Sequence, residues 1–176
     1  GDSAFRHLVV RTEAGAFLGV LSALDLARAL CSSTSKEGIA SRLGSSVAAD
    51  IMKPSGALIV CPPDALLQDV LEQMSASRQN CVLVADGELS ASSLVGVVTP
   101  RDAMRAFVEH VPLSVEVGRW LHGLQSDWRP RAVERESPVQ ECAAKMVGAA
   151  VHHLVVLSSG SVAGVLSSTD LAQAVG

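Results

Sequence analysis

The sequence predicts an α/β (α+β) fold made of tandem repeats, each a small three-stranded sheet packed with two helices. One pattern occurs three times: Gly, two aliphatic residues, a hydroxyl residue, two variable residues and an Asp, ending at Asp25, Asp102 and Asp170. An apolar run and a Gly-containing polar turn precede each copy, which is typical of a β-hairpin. The composition is 48% hydrophobic but only 3% aromatic. Such a core of Val, Leu, Ile and Ala suits small repeated α/β units.

Each copy predicts two strands joined by a turn and followed by a short helix. The first strands are predicted at 8–10, 82–84 and 154–157, and the second at 20–21, 97–98 and 165–166. The turns contain Gly15, Gly87 and Gly160. The helices that follow the three aspartates are predicted at 26–30, 103–108 and 171–175.

The second and third copies carry a further strand and helix upstream. Extended runs at 58–61 and 131–134 each precede a helical stripe of apolar residues. The first stripe comprises Leu66, Leu67, Val70, Leu71 and Met74, and the second Val139, Cys142, Ala143, Met146, Val147 and Ala150. Ser137-Pro138-Val139-Gln140 predicts a capping box with proline at the first helical position. A short helix at 115–122 is the expected equivalent of one at 47–52.

The pattern divides the chain into four predicted segments. Residues 1–31 form the C-terminal half of a repeat, and the Ser- and Gly-rich residues 32–46 form a flexible linker. Residues 47–110 and 115–176 form two complete repeats. The first copy lacks its upstream strand and helix, so we expect the chain to begin inside a repeat whose remainder lies outside this sequence.

Charge and cysteine usage exclude several classes of protein. The net charge of −4 comes without a basic stripe, which argues against nucleic-acid binding. Every apolar run is too short to span a membrane, so we expect a soluble protein. The four cysteines form no C-x-x-C pair, which argues against a zinc ribbon or a thioredoxin-like motif and favours an intracellular, reducing compartment.

The recurring hydroxyl and Asp have two interpretations. Ser167 and Asp170 have the spacing of a helix N-cap and its reciprocal partner, so capping alone explains a single copy. The threefold recurrence of the pattern also makes it a candidate binding corner. The two roles are compatible, because a helix N-terminus that needs a cap also attracts anions.

The order of elements and the recurring pattern resemble cystathionine β-synthase (CBS) domains, which pair in tandem into a Bateman module. Three segments carry the resemblance: Asp50-Ile51-Met52-Lys53-Pro54, Val60-Cys61-Pro62-Pro63-Asp64 and Thr99-Pro100-Arg101-Asp102. The resemblance covers nearly all of the chain. It identifies 47–110 and 115–176 as two CBS repeats forming one module, and 1–31 as half of an earlier repeat.

The resemblance implies a ligand that contains adenosine, such as AMP, ADP, ATP or S-adenosylmethionine, in the clefts between paired repeats. Asp25, Asp102 and Asp170 would bind the ribose, since a carboxylate can accept hydrogen bonds from both ribose hydroxyls. The hydroxyl or phosphate contacts would come from Ser22, Thr99, Ser167 and Arg101. No metal or other cofactor is implied.

A pair of basic residues before the first strand of two copies supports the ligand interpretation. Val151-His152-His153-Leu154-Val155-Val156 resembles a segment of the gamma subunits of AMP-activated kinases in which two basic residues contact phosphate. Arg6 and His7 match it in the first copy, whereas Asn80 and Cys81 replace the pair in the second. The alternative is that the histidines lie at a helix end, stabilised by the helix dipole. A metal role is disfavoured, because no further ligand accompanies them at suitable spacing.

The sequence therefore favours a non-catalytic regulatory module that binds an adenine nucleotide and transmits its occupancy to an attached domain or partner. The alternative is a structural dimerisation or assembly module with empty clefts, which the missing basic pair of the second copy favours. An enzyme is disfavoured, because no P-loop, G-x-S-x-G or H-E-x-x-H motif is present. The resemblance also implies a homodimer or larger assembly.

Overall fold

The computed structural model of the chain describes residues 7–32, 44–124 and 130–175. Its strands are β1 (His7–Arg11), β2 (Phe17–Ser22), β3 (Lys53–Pro54), β4 (Ile59–Cys61), β5 (Val82–Ala85), β6 (Leu94–Val98), β7 (Ala132–Glu134), β8 (His153–Ser158) and β9 (Ser161–Ser167). Its α-helices are α1 (Ala23–Ser32), α2 (Ala48–Ile51), α3 (Leu67–Ala76), α4 (Pro100–Val108), α5 (Val117–Gly123), α6 (Val139–Ala149) and α7 (Ser168–Val175), and a 3₁₀ turn spans Ser55–Ala57.

The described strands form three sheets. The first sheet contains β1 and β2. The second contains β4, β5 and β6, and the third has the strand order β3-β9-β8-β7. β4 runs parallel to β5, whereas β5 and β6 are antiparallel. The predicted mixture of small sheets and helices in tandem repeats is confirmed.

The first two hairpins share one register. Val10 faces Gly19 in β1–β2, and Val84 faces Gly96 in β5–β6. In both hairpins the register shifts at the next step along the strand. The turn glycines have positive φ, at 85° for Gly15, 82° for Gly87 and 81° for Gly160, which a glycine adopts without steric cost. The predicted hairpins are therefore confirmed, and each helix begins directly after the hydroxyl residue.

The chain divides into two compact units that do not follow sequence order. The first contains the described residues up to Met52, together with 132–156 and those from Val165 onward. The second contains 53–124, 130–131 and 157–164. The short helices α2 and α5 are thus grouped with the main elements of the other repeat, so the units differ from consecutive stretches of sequence.

Backbone carbonyls accept hydrogen bonds from N–H groups at the N-terminal ends of α6 and α3. In the first unit the Val139 N–H donates to the Ser46 carbonyl at 3.1 Å, and the Ala48 N–H donates to the Ser137 carbonyl at 2.9 Å. The Ser137 capping box is therefore a wrong prediction: Pro138 is the N-cap residue of α6, with no side-chain bond. The Ser46 carbonyl accepts one of the donors that the helix leaves unpaired at this end, and the Ser137 N–H, which the Gln140 side chain was expected to bind, donates to the Glu134 carbonyl at 3.0 Å.

In the second unit, backbone hydrogen bonds join the start of α3 and the start of α5 in the same way. The Leu67 N–H donates to the Val115 carbonyl at 2.9 Å, and the Val117 N–H donates to the Ala65 carbonyl at 2.8 Å. The predicted stripe is corrected at Leu66, which is the exposed N-cap residue of α3 rather than part of its buried face. The core of this unit comprises Cys61, Leu67, Val70, Met74, Val82, Val84, Val98, Ala106, Val117, Trp120 and Leu121.

The cysteines behave as inert core residues, apart from one. Cys61, Cys81 and Cys142 are buried, whereas Cys31 is exposed, and all four are free thiols. Burial raises the pKa of both Cys61 and Cys142 to about 11.

Within the described parts of the chain, no helix has the length and apolarity needed to cross a bilayer. Most of the predicted linker, residues 33–43, lies outside the described residues.

Candidate functional site

The three recurring corners share one hydrogen-bond geometry. In the third, the backbone N–H and the hydroxyl of Ser167 both donate to Oδ2 of Asp170, at 2.7 and 2.6 Å, and the Asp170 N–H returns to Ser167 Oγ at 3.2 Å. The corresponding donor distances to Oδ2 are 2.8 and 2.6 Å from Thr99 to Asp102, and 2.9 and 2.6 Å from Ser22 to Asp25. Each corner is thus a reciprocal cap, and the predicted capping role is confirmed.

The second carboxylate oxygen, Oδ1, distinguishes the first corner from the others. Oδ1 of Asp25 accepts a bond of 2.6 Å from Nη1 of Arg28, three residues later in α1. The equivalent arginine in α4, Arg105, pairs with Glu109 instead, at 2.7 Å. Among the described residues, none donates to Oδ1 of Asp102 or of Asp170. These two carboxylates combine a fixed orientation with a spare acceptor oxygen.

Hydrogen bonds from neighbouring groups lower the pKa of Asp25 in the first corner. The side-chain bond from Ser22 is the largest cause, the backbone bond from Ser22 is the next, and Arg28 adds to both. Together they hold the pKa of Asp25 at about 2, below its ordinary value of 3.8. Asp25 therefore remains a carboxylate at any physiological pH.

The third corner has a histidine beside it. His152 Nδ1 lies 3.1 Å from the hydroxyl of Ser168, the first residue of α7, and the Ser168 N–H donates to the His152 carbonyl at 2.9 Å. Ser168 is buried, and both His152 and His153 are half-buried. The structure therefore brings His152 to the helix N-terminus that Ser167 and Asp170 cap.

The other predicted contacts are distributed differently. His7 is exposed on β1, directly across the hairpin from Ser22. Arg6 lies outside the described residues. In the second copy Arg101 is exposed in the first turn of α4, and Cys81, in the position of a basic residue, is buried. The structure thus assembles a hydroxyl, a carboxylate and a nearby histidine in the third copy.

Two residues of these corners escaped the sequence interpretation. Arg28 was not considered, although residues three apart on a helix are neighbours and its pairing with Asp25 could have been expected. Ser168 was passed over because it directly follows the motif hydroxyl and has no counterpart in the other copies, which carry Ala23 and Pro100.

Among the described residues, no group of three or more His, Cys, Asp or Glu side chains could hold a metal ion.

Comparison with protein families identifies the fold. Residues 47–109 and 127–176 match the CBS domain family. Because the matched segments cover more than half of the chain, the protein belongs to the CBS domain family. No curated protein matches the sequence significantly.

Solved structures with the same fold include two that are named as a CBS domain or a CBS domain protein. The CBS domain of a bacterial CNNM/CorC family Mg²⁺ transporter in complex with ATP is 19% identical, with a TM-score of 0.64 over 78% of this chain and 92% of that one. A CBS domain protein from Pyrobaculum aerophilum complexed with AMP is 24% identical, with a TM-score of 0.60 over 72% and 90%. An uncharacterized conserved protein from Pyrococcus horikoshii is 19% identical, with a TM-score of 0.63 over 74% and 92%. At these identities the likeness concerns the fold alone.

Proposed function

We propose that this protein is a non-catalytic regulatory module that binds a ligand containing adenosine at its recurring corners. The observation that carries the proposal is the spare Oδ1 of Asp102 and Asp170, each held in place by two bonds to Oδ2. An oriented carboxylate with a spare acceptor oxygen suits two adjacent ribose hydroxyls. Two structural neighbours in complex with ATP and AMP support this choice of ligand class.

The third corner is the strongest candidate site. His152, Ser167 and the N-terminus of α7 lie together, so a phosphate there would meet hydroxyl and N–H donors at the positive end of a helix. Protonation of His152 would add a positive charge. The first corner is the weakest candidate, because Arg28 already occupies the oxygen that a ribose would need.

Ligand occupancy would regulate an attached domain or a partner by differential affinity. A ligand shifts an equilibrium between two conformations only by the difference between its affinities for them. The proposal therefore requires that nucleotide favours one arrangement of the module. The alternative function, an assembly module without a ligand, is supported by the missing basic pair at Asn80 and Cys81 and by the closed first corner.

The test is calorimetry and thermal unfolding of the whole chain with AMP, ADP, ATP and S-adenosylmethionine. A ligand at a hundredfold excess over Kd should stabilise the fold by about 2.7 kcal/mol. Asp170→Asn keeps an oxygen for the cap but replaces the spare acceptor with an NH₂ group. This substitution should weaken binding about tenfold or more, as expected for a hydrogen bond to a charged group.

Asp50→Asn provides the matched control, because Asp50 also accepts a capping bond, from the Val47 N–H at 2.9 Å, outside the recurring pattern. It should leave ligand affinity unchanged. The proposal is wrong if none of the four ligands stabilises the chain, or if Asp50→Asn weakens binding as much as Asp170→Asn does.

A further inference from the structure

The N-terminus of α7 concentrates the buried polar residues of the protein. Among the described residues three polar ones are buried, and they are consecutive in sequence: Ser167, Ser168 and Thr169, at 9%, 3% and 9% exposed. A buried hydroxyl group normally has a hydrogen-bond partner, because without one it loses its bonds to water and gains nothing in return. Each of these three hydroxyls is therefore expected to have a partner.

Two of the three hydroxyls have partners, whereas the third has none. The Ser167 hydroxyl donates to Oδ2 of Asp170, and the Ser168 hydroxyl lies 3.1 Å from His152 Nδ1. No described residue forms a hydrogen bond with the hydroxyl of Thr169. A nine-tenths buried side chain thus carries a donor that the protein leaves unused.

The Thr169 hydroxyl is unpaired but not enclosed. Among the described residues, the fully enclosed side-chain atoms without a partner belong to Gln79 and Trp120, so the Thr169 oxygen remains accessible to a molecule from outside. Thr169 lies in the first turn of α7, where N–H groups lack partners within the helix and the helix dipole is positive. An unused donor in this environment favours an anion.

This feature belongs to the third corner alone. Thr169 directly precedes the corner aspartate, and the same position holds Leu24 in the first copy and Arg101 in the second. Leu24 is buried and has no group that could donate, whereas Arg101 is exposed. The recurring pattern leaves this position variable, so the difference between the corners lies outside the pattern.

We infer that Thr169 is a specificity-determining residue of the third corner, whose hydroxyl donates to the phosphate of a phosphorylated adenosine ligand. The inference rests on the proposed function and narrows its ligand class. A phosphate oxygen would accept the bond that no described protein group accepts, and its charge is favoured at the helix N-terminus. S-adenosylmethionine carries a sulfonium cation where a nucleotide carries its phosphate, and a cation is disfavoured at this end of a helix.

Calorimetry of the whole chain with AMP, adenosine and S-adenosylmethionine tests this contact. The variants are made in an Asp102→Asn background, which removes the spare acceptor oxygen of the second corner, so that the binding measured is that of the third. AMP should bind more tightly than either other ligand. Thr169→Val should weaken AMP binding about tenfold or more and leave adenosine binding unchanged, as expected for a hydrogen bond to a charged group. Thr169→Ser, which keeps a hydroxyl, should retain most of the affinity for AMP.

Thermal unfolding without ligand separates a ligand contact from a structural role. Thr169→Val removes a hydroxyl that has no partner, so the unfolding midpoint should stay unchanged or rise, whereas the loss of a structural hydrogen bond would lower it. The matched control is Thr12→Val, because the Thr12 hydroxyl oxygen accepts a bond from the Ala16 N–H at 3.1 Å, outside the recurring corners. This control should leave the affinity for AMP unchanged.

Four results would overturn the inference while nucleoside binding itself stands. They are equal weakening of AMP and adenosine by Thr169→Val, no weakening of either, tighter binding of S-adenosylmethionine than of AMP, and a lower unfolding midpoint of the ligand-free Thr169→Val chain. If none of the three ligands binds the unaltered chain, the proposed function fails and the inference fails with it. The two kinds of failure are therefore distinguishable.

Discussion

The first and second hairpins have the same local geometry but opposite environments. Val10 and Val84 occupy the same register position, and both hairpins lead into a reciprocally capped helix. Val84 is fully buried, whereas Val10 is 39% exposed. The difference follows from β4, which lies parallel to β5 and pairs Cys61 with Val84, while β1 has β2 as its one partner among the described strands.

The comparison separates what a repeat encodes locally from what its neighbours supply. Register, turn and cap depend on residues within one copy, so they are the same in both. Burial of the first strand depends on a strand and a helix from upstream in the repeat. The apolar residues of β1 are therefore suited to a covered strand, but the described residues do not cover them.

The largest expected effect is a charge at the two equivalent valines. Val84→Asp places a carboxylate in the core without a partner, which costs several kcal/mol, comparable with the total stability of a domain. We expect urea unfolding to show a second unit that is unfolded or severely destabilised. Val10→Asp should change the free energy of unfolding by less than about 1 kcal/mol, because the new charge stays in contact with water. Equal destabilisation by the two variants would show that β1 is covered in solution.

A smaller difference is expected at the glycines that face these valines. A Cβ on Gly96 would lie 2.7 Å from Cδ1 of the buried Leu121, whereas a Cβ on Gly19 would have no neighbour within 4 Å. Gly96→Ala should therefore lower the free energy of unfolding by about 1–3 kcal/mol through overpacking. Gly19→Ala should be within about 0.5 kcal/mol of neutral. The comparison fails at this position if thermal unfolding midpoints of the two variants fall equally.

Sequence alone predicted the features whose partners lie close in the chain. The hairpins and the caps involve residues a few positions apart, and their patterns were readable three times over. The N-terminus of α6 was not predictable in the same way, since its capping carbonyl belongs to Ser46, more than ninety residues earlier. The Ser137 capping box failed because α6 begins one residue later than the box requires: Pro138 is the N-cap residue, and the Ser137 N–H donates to the Glu134 carbonyl.

The same distinction between local and distant contacts applies to the candidate site. The reciprocal bonds of Ser167 and Asp170 follow from their spacing, and the structure has them. The contact of His152 with Ser168 joins residues sixteen apart, one directly before β8 and one at the start of α7, so it required the fold. The pairing of Arg28 with Asp25 is local, but the spacing alone does not determine it. The equivalent arginine in α4, Arg105, pairs with Glu109 rather than with Asp102.

The smallest expected effect concerns the acidity of the first corner. Ser22→Ala should raise the pKa of Asp25 from about 2 toward 3.8, because the bond from the Ser22 hydroxyl is the largest cause of the depression. Arg28→Ala should raise this pKa less, since the ion pair is solvent-exposed and screened. The readout is a ¹³C NMR titration of the Asp25 carboxyl group, and Arg105→Ala, which removes an equal charge elsewhere, is the control.

The sign of the linked stability follows from the direction of this shift. A folded-state pKa below the unfolded value means that the Asp25 carboxylate stabilises the fold above about pH 4, and that this contribution is lost as the pH falls toward about 2. Ser22→Ala should reduce the acid-dependent loss, because the folded pKa moves toward the unfolded value while the backbone bond at this position and the Arg28 pair still lower it. If Arg28→Ala raises the pKa more than Ser22→Ala does, the ion pair controls the first corner. Its carboxylate would then differ from the other two in charge environment rather than in its cap.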